Sequence, residues 1–343
     1  MNMKFIRKLP SAKQIREEIP VPENLKDVKE KRDLEIRNVF TNNDDRFILV
    51  IGPCSADHED PVCEYVEKLA KLQEKVKDKI LIIPRVYTNK PRTTGEGYKG
   101  MMHQPDPNKA PNVAEGIKAI RKLHLKVLSE THLVTADEML YPENYTYLSD
   151  LLGYVAIGAR SVEDQQHRMI VSGMNVPAGM KNPTSGNLSV MLNSVVAAQM
   201  GHDFVYAGYE VRTSGNPLAH TILRGAVDSY GRNIPNYHYE DLQLLAQSYA
   251  KRDLENPAVI IDTNHSNSMK KFAEQPRIAK EIINSRKWDS NLKKFIKGLM
   301  IESYLVEGRQ DISDNNIYGK SITDPCLGWE DTENLIYYIA ENV

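Results

Sequence analysis

Residues 48–58 read ILVIGPCSADH. Four apolar residues, three of them β-branched, suit a strand buried on both faces. The chain then turns through Gly52-Pro53 and presents Cys54, Ser55, Asp57 and His58. A core strand that ends on a thiol and polar groups is how a parallel sheet delivers chemistry to its carboxyl edge.

Similar runs recur downstream. With FILVIG (47–52) they are ILIIPRVY (80–87), LKVLSE (125–130), YVAIGAR (154–160), VPAGMK (176–181), DFVYAGY (203–209), AVIIDTN (258–264) and FIKGLMIES (295–303). Most intervals carry a helical pattern, as in PVCEYVEKLAKLQEKV and QPRIAKEIINSRK, and ENLIYYIAENV follows the last run. Eight strand–helix units predict a (β/α)8 barrel over residues 46–343, with a doubly wound open sheet as the runner-up. Residues 1–45, broken by Pro10, Pro20 and Pro22, read as an N-terminal extension of helix and loop suited to oligomer or regulatory contacts.

The totals narrow the function. The chain has 343 residues, is 41% hydrophobic and 26% charged, and carries a net charge of −2. It therefore has no general attraction for nucleic acid or an anionic membrane. No apolar run reaches the length of a membrane span or a secretory signal, so a cytoplasmic protein is expected. Three cysteines, Cys54, Cys63 and Cys326, do not make a disulfide framework.

In a barrel the strand exits share one rim. Here they offer Cys54; Arg85, then Lys90 and Arg92; Glu130; Arg160; Lys181; Asp262 and His265; and Glu302. Taken singly, each such residue is more often structural than functional. Together they form two sets. Cys54, His265, Glu302 and Asp324 offer sulfur, nitrogen and oxygen donors, a mixture that suits a divalent first-row metal: manganese first, with iron, cobalt or zinc as alternatives. Arg85, Lys90, Arg92, Lys99, Arg160, Lys181 and Arg224 crowd positive charge, which calls for a ligand with several negative charges. Gly95-Glu-Gly97-Tyr-Lys-Gly100 matches a dinucleotide fingerprint, but KPRTT separates it from the strand and HQPDPNKAP follows where a helix should open. It reads instead as a flexible loop that lets KPRT wrap an anion.

These segments carry a resemblance. GPCS, RVYTNKPRTTGEGYKG, AIGARS, GMKNPTSG, TSGNPLAHTILRG, DTNHSNSMKK, MIESYLVEG and SITDPCLGW, in that order, resemble type I 3-deoxy-D-arabino-heptulosonate-7-phosphate (DAHP) synthases from about Asp44 onward. The resemblance implies a metal-dependent barrel that condenses phosphoenolpyruvate with D-erythrose 4-phosphate and water and releases phosphate, the first step of the shikimate pathway to aromatic amino acids. It implies Cys54, His265, Glu302 and Asp324 as ligands of one divalent ion. Arg160 and Arg224, with backbone near Gly158 and Ala159, would grip the phosphoenolpyruvate phosphate, and Arg85, Lys90 and Lys181 its carboxylate. Lys90, Pro91, Arg92 and Thr93 would receive erythrose 4-phosphate, with Lys99 behind them. Glu130 and Lys181 would hold a water over carbon 2, and arginines crowding Lys181 would ease its loss of a proton. Cys326 is expected close to Cys54, so that metal loss and oxidation would join them. A homodimer or homotetramer is expected, as is an aromatic amino acid effector acting near the extension and the strand 5–6 region. That region differs from the family pattern: the segment after DFVYAGY is short and HLVTADEMLYPENYTYLSD is long. KPRT argues against an octulosonate synthase. The full ligand set argues against a non-catalytic barrel, and the cations argue against a thiol sensor.

Overall fold

The computed structural model describes residues 2–313 and 315–343, so the first residue of the expected extension and residue 314 of the expected barrel lie outside it. Eight parallel strands form one sheet: β1 (Phe47–Gly52), β2 (Ile80–Pro84), β3 (Thr135–Glu138), β4 (Leu152–Ile157), β5 (Ala178–Lys181), β6 (Ala219–Leu223), β7 (Val259–Asp262) and β8 (Ile296–Glu302). Consecutive strands are neighbours, and β8 returns to pair with β1, Ile48 opposite Gly298 and Gly52 opposite Glu302. The last seam, between β2 and β3, closes through a single parallel bridge from Arg85 to Ala136, with the Val86 N–H donating to Ala136. The sheet is thus the expected barrel rather than an open doubly wound sheet.

Two expected strands are corrected. LKVLSE lies inside a helix, Val113–Thr131. Its buried Ile117, Ile120, Val127 and Leu128 recur at helical spacing, and His132, at φ 56°, caps it in the left-handed region. The third barrel strand is instead the short, polar Thr-Ala-Asp-Glu of β3. Its polar side chains are buried because they are bonded: Thr135 lies 2.7 Å from His124 Nδ1, and Asp137 accepts from the Thr88 backbone at 2.8 Å. DFVYAGY is not a barrel strand either. Asp203–Tyr206 and Tyr209–Arg212 form an antiparallel hairpin, largely exposed, around Ala207 and Gly208 at positive φ. The sixth barrel strand is Ala219–Leu223, fully buried.

The N-terminal segment is packed against the barrel. Helices α1 (Ala12–Glu18) and α2 (Glu23–Phe40) bury Ile15, Ile36, Val39 and Phe40. The Phe40 ring lies 4.4 Å from that of His220 on β6, so α2 covers the amino-terminal end of the strands. Arg121, fully buried, ties this region together with bonds to Ile19, Tyr147 and both carboxylate oxygens of Asp150.

Because strand side chains alternate between faces, register decides what reaches the rim. The interior positions at the strand exits are Cys54, Arg85, Glu138, Gly158, Lys181, Arg224, Asp262 and Glu302.

Candidate active site

A cleft of about 330 Å³ opens at this rim. Arg85, Lys90, Arg92, Arg160, Lys181, Arg224 and Lys270 line it, against Glu96, Glu138 and Asp324. Of the residues expected from sequence, Cys54, Arg85, Lys90, Pro91, Arg92, Thr93, Ala159, Arg160, Lys181, Arg224, His265 and Asp324 reach its wall. Glu302 stands behind them, fully buried. Gly158 is buried too, and a Cβ there would stand 2.5 Å from Glu138 Oε1, so glycine admits the carboxylate. Lys99 is exposed and off the cleft, although its carbonyl accepts from the Lys90 N–H at 3.0 Å. Glu130 is not in the site. It lies exposed near the end of helix Val113–Thr131. The acid that projects inward is Glu138, at the exit of the true third strand.

The donor atoms of Cys54, Glu302 and Asp324 come within 4.8 Å of one another. His265 Nε2 lies 3.8 Å from Glu302 Oε1, while its Nδ1 faces Asp262 at 2.8 Å. A carboxylate behind an imidazole orients the other nitrogen toward a cation. Lys90 Nζ stands 2.7 Å from both Cys54 Sγ and Asp324 Oδ2, which shows that this pocket of donors accepts positive charge. The residues therefore fit a divalent ion. Burial pushes the Cys54 thiol up to about 12, and Glu302 adds to the shift. Burial would also raise Asp324, but Lys90 and His265 outweigh it and hold that carboxyl well below the usual range.

Glu302 is positioned from several sides. Arg85 donates to one oxygen at 2.7 Å and Asn264 to the other at 2.6 Å, and Gln275 bonds its backbone N–H and carbonyl. Arg85 stacks 3.8 Å over the Tyr87 ring and has one buried nitrogen, Nη1, without a partner. Arg224 Nη1 is orphaned likewise, and burial lowers the guanidinium from its usual value. Unmatched buried donors facing a cleft are ready for an anion.

Lys181 Nζ lies 3.4 Å from Glu138 Oε2 and 3.8 Å from Asp262 Oδ2. Its immediate partners are two carboxylates, so the expected crowding by arginines is not what surrounds it. Burial would raise Glu138, but Lys181 and Arg85 outweigh it and keep the carboxyl below its ordinary value.

The KPRT loop is held at its base. Gly100 has φ +98°, and a Cβ there would meet the Thr88 carbonyl at 2.3 Å. Arg92 Nε donates to the Tyr98 carbonyl at 2.8 Å, and Arg160 Nε donates to Thr93 Oγ1 at 2.9 Å. No helix opens at these glycines, in keeping with the rejection of a dinucleotide fingerprint. On the other wall, His265, Met269 and Lys270 all hold positive φ, backbone strain concentrated beside the cleft.

This geometry belongs to a known lineage. The model of the DAHP synthetase I family matches residues 19–336. The chain belongs to the DAHP synthetase I family. A phospho-2-dehydro-3-deoxyheptonate aldolase of Haemophilus influenzae is 39% identical over 316 residues, 90% of this chain and 84% of that protein. A Phe-sensitive phospho-2-dehydro-3-deoxyheptonate aldolase of Escherichia coli K12 is 37% identical over 353 residues, covering 100% of this chain and 97% of its own. A solved structure of a phospho-2-dehydro-3-deoxyheptonate aldolase from Francisella tularensis superposes with a TM-score of 0.92 at 34% identity, covering 100% of this chain and 98% of that one.

Sequence reasoning missed Glu138, Asp137 and Asn264. In the sequence Asp262 stands only as a strand exit, although it supports both Lys181 and His265. The usable signal for Glu138 was the Leu-Val-Thr-Ala-Asp-Glu run after the helix, which apolar counting passes over.

Proposed function

We propose that this member of the DAHP synthetase I family condenses phosphoenolpyruvate with D-erythrose 4-phosphate and water, giving 3-deoxy-D-arabino-heptulosonate 7-phosphate and phosphate. The observation that carries this reading is one cleft holding a mixed sulfur, nitrogen and oxygen donor set beside unmatched arginines.

In this reading Arg160 and Arg224 grip the phosphoenolpyruvate phosphate, and Arg85 and Lys181 orient its carboxylate end. Lys90, Arg92 and Thr93 receive the aldose phosphate. The bond from Arg160 to Thr93 links the two phosphate-binding regions. Cys54, His265, Glu302 and Asp324 would hold one divalent ion, manganese in first place. When bound, that ion supplies Lewis-acid polarisation of a carbonyl oxygen. Glu138, in the role first given to Glu130, pairs with Lys181 to hold a water over carbon 2 of phosphoenolpyruvate. Its lowered pKa suits it to accept a hydrogen bond from that water rather than to donate one. The arginines then meet the charge of the departing phosphate. Lys90, bonded here to Cys54 and Asp324, would be free to meet the substrate with those donors engaged by an ion.

Relatives named Phe-sensitive and Trp-sensitive support an aromatic amino acid effector. Exposed Val205 and Tyr209 on the hairpin, with exposed Phe5 and Ile6 in the extension, suit contacts within a homodimer or homotetramer. No described helix is long and apolar enough to cross a membrane. The test is aldehyde choice. Phosphoenolpyruvate consumption should require erythrose 4-phosphate, and consumption with arabinose 5-phosphate alone would assign the chain to octulosonate chemistry.

A further inference from the structure

A second cleft, of about 510 Å³, opens at the opposite end of the barrel from the catalytic rim. It lies where β1, β2 and β8 begin and where α2 ends. Two of its lining residues are cations buried without a counterion. Arg286, 7% exposed, sits on the helix Gln275–Trp288 with its guanidinium 4.3 Å over the Phe47 ring. It donates through Nη2 to the Lys293 carbonyl at 3.2 Å, and its buried Nε has no partner. Lys297, 6% exposed, is the second residue of β8, and among the described residues the one hydrogen bond of its ammonium is to Asn42 Oδ1 at 2.5 Å. Among the described residues no carboxylate pairs with either cation within 4.0 Å. Arg46 beside them is already matched by Asp44 at 2.6 Å. Asp45 faces both cations from beyond pairing distance and is exposed.

Burying two neighbouring cations without a partner is costly, and an orphaned guanidinium nitrogen adds to that cost. Burial pushes Arg286 down to about 10, and burial with the charge of Arg286 pushes Lys297 down to about 8. Exposed Lys293 and Lys294 stand at the rim. Arg286, whose buried Nε has no partner, and Lys297 both line the cleft, a guanidinium that matches an oxyanion with a point charge beside it. Two unmatched positive charges are neutralised by one dianion, and the cleft leaves room for more than the head group.

We propose that this cleft at the barrel floor binds the phosphate group of a small phosphate monoester, between Arg286 and Lys297. The site is separate from the catalytic cleft, so occupancy there would act on the enzyme from the far end of the barrel.

The test is equilibrium dialysis of radiolabelled inorganic phosphate against the metal-loaded wild-type chain, Lys297→Met and Asp45→Asn. Lys297→Met should lose one phosphate per chain, or bind it at least about tenfold more weakly, while turnover stays within about twofold of wild type. Asp45→Asn changes an exposed side chain and removes a competing negative charge. It should bind that phosphate about two- to fivefold more tightly. Glycerol 3-phosphate should displace the same phosphate. In phosphate-free buffer Lys297→Met should raise the melting temperature, because an unmatched buried charge is gone; a lysine kept for packing would give a fall. Equal phosphate number and affinity in all three proteins would overturn the proposal. If Lys297→Met did not fold, an unchanged affinity in Asp45→Asn would overturn it alone.

Discussion

Replacing Glu138 by Gln, with Glu130→Gln as its partner experiment, separates the two candidate acids. Glu138 Oε2 lies 3.4 Å from Lys181 Nζ inside the cleft wall, whereas Glu130 is exposed on a helix. At an effective dielectric of about 20 that pair has a gross attraction of ~5 kcal/mol, most of it offset by desolvation. Asp262, 3.8 Å from Lys181, stays behind as a second carboxylate. The net loss of stability on Glu138→Gln should therefore be only about 1–2 kcal/mol, and the variant should fold. Its effect on turnover should be larger. A group that positions a reacting water or moves its proton contributes about 10²–10⁴ in rate, so kcat should fall by about 10²–10³. KM for phosphoenolpyruvate should change by less than about threefold, because the arginine contacts remain. Glu130→Gln should stay within about twofold of wild type. The assay is steady-state loss of the enol absorbance of phosphoenolpyruvate, with melting temperature measured in parallel. A large loss in Glu130→Gln with full activity in Glu138→Gln would refute the reasoning.

Other outcomes follow from the same structure. Burial pushes His220 down to about 4, its Nδ1–H donating to the Leu218 carbonyl and its Nε2 accepting from the Tyr154 hydroxyl. The unfolded chain takes up a proton near pH 6.5 while the folded chain does not. Stability is therefore complete above that pH and falls between about 6.5 and 4, by about 3 kcal/mol in total. Urea titrations at pH 7 and pH 4.5 should show the fall, and it should shrink in His220→Gln. The Cys54 thiol, pushed up to about 12, must release its proton to bind a metal. Metal affinity measured against a chelator should thus rise about tenfold per pH unit between pH 6 and 8, and a flat profile would remove Cys54 from the ligands. Cys54 and Cys326 are both free and buried. Peroxide treatment of the metal-stripped chain should lower the free-thiol count by two, and an intact count would exclude their pairing. Gly100→Ala forces a side chain into positive φ against the Thr88 carbonyl, and should raise KM for erythrose 4-phosphate about tenfold while leaving metal affinity unchanged.

Most of the barrel is legible in sequence because β1, β2, β4, β5, β7 and β8 contain apolar, buried stretches that alternate with amphipathic helices. Where the pattern failed, hydrogen bonding had replaced apolarity. Thr135 and Asp137 are buried by their bonds to His124 and Thr88, so β3 carries no apolar signal. The Leu125–Glu130 run resembles a strand only in isolation, since its apolar residues continue the helical period of Val113–Thr131. The exposed hairpin at 203–212 shows the opposite error. Its β-branched and aromatic residues suit any strand, and nothing local says that the strand lies outside the barrel. The error at β3 carried into the site, since a misplaced strand exit moved the acid from residue 138 to residue 130. Cys54, Arg85, Lys90, Lys181, His265 and Asp324 lie on strands and loops assigned correctly and line one cleft, whereas Arg224 follows a sixth strand, Ala219–Leu223, that the sequence reading places at 203–209. Asn264 and Asp262 act by orienting Glu302 and His265, a role that only three-dimensional geometry reveals.

The most direct measurement is the rate of phosphoenolpyruvate loss with erythrose 4-phosphate, in chain stripped of metal and then given Mn²⁺. The account predicts no turnover in the stripped, folded chain and its return with about one ion bound per site. Full turnover without metal, or none in folded chain that has bound the ion, would contradict it.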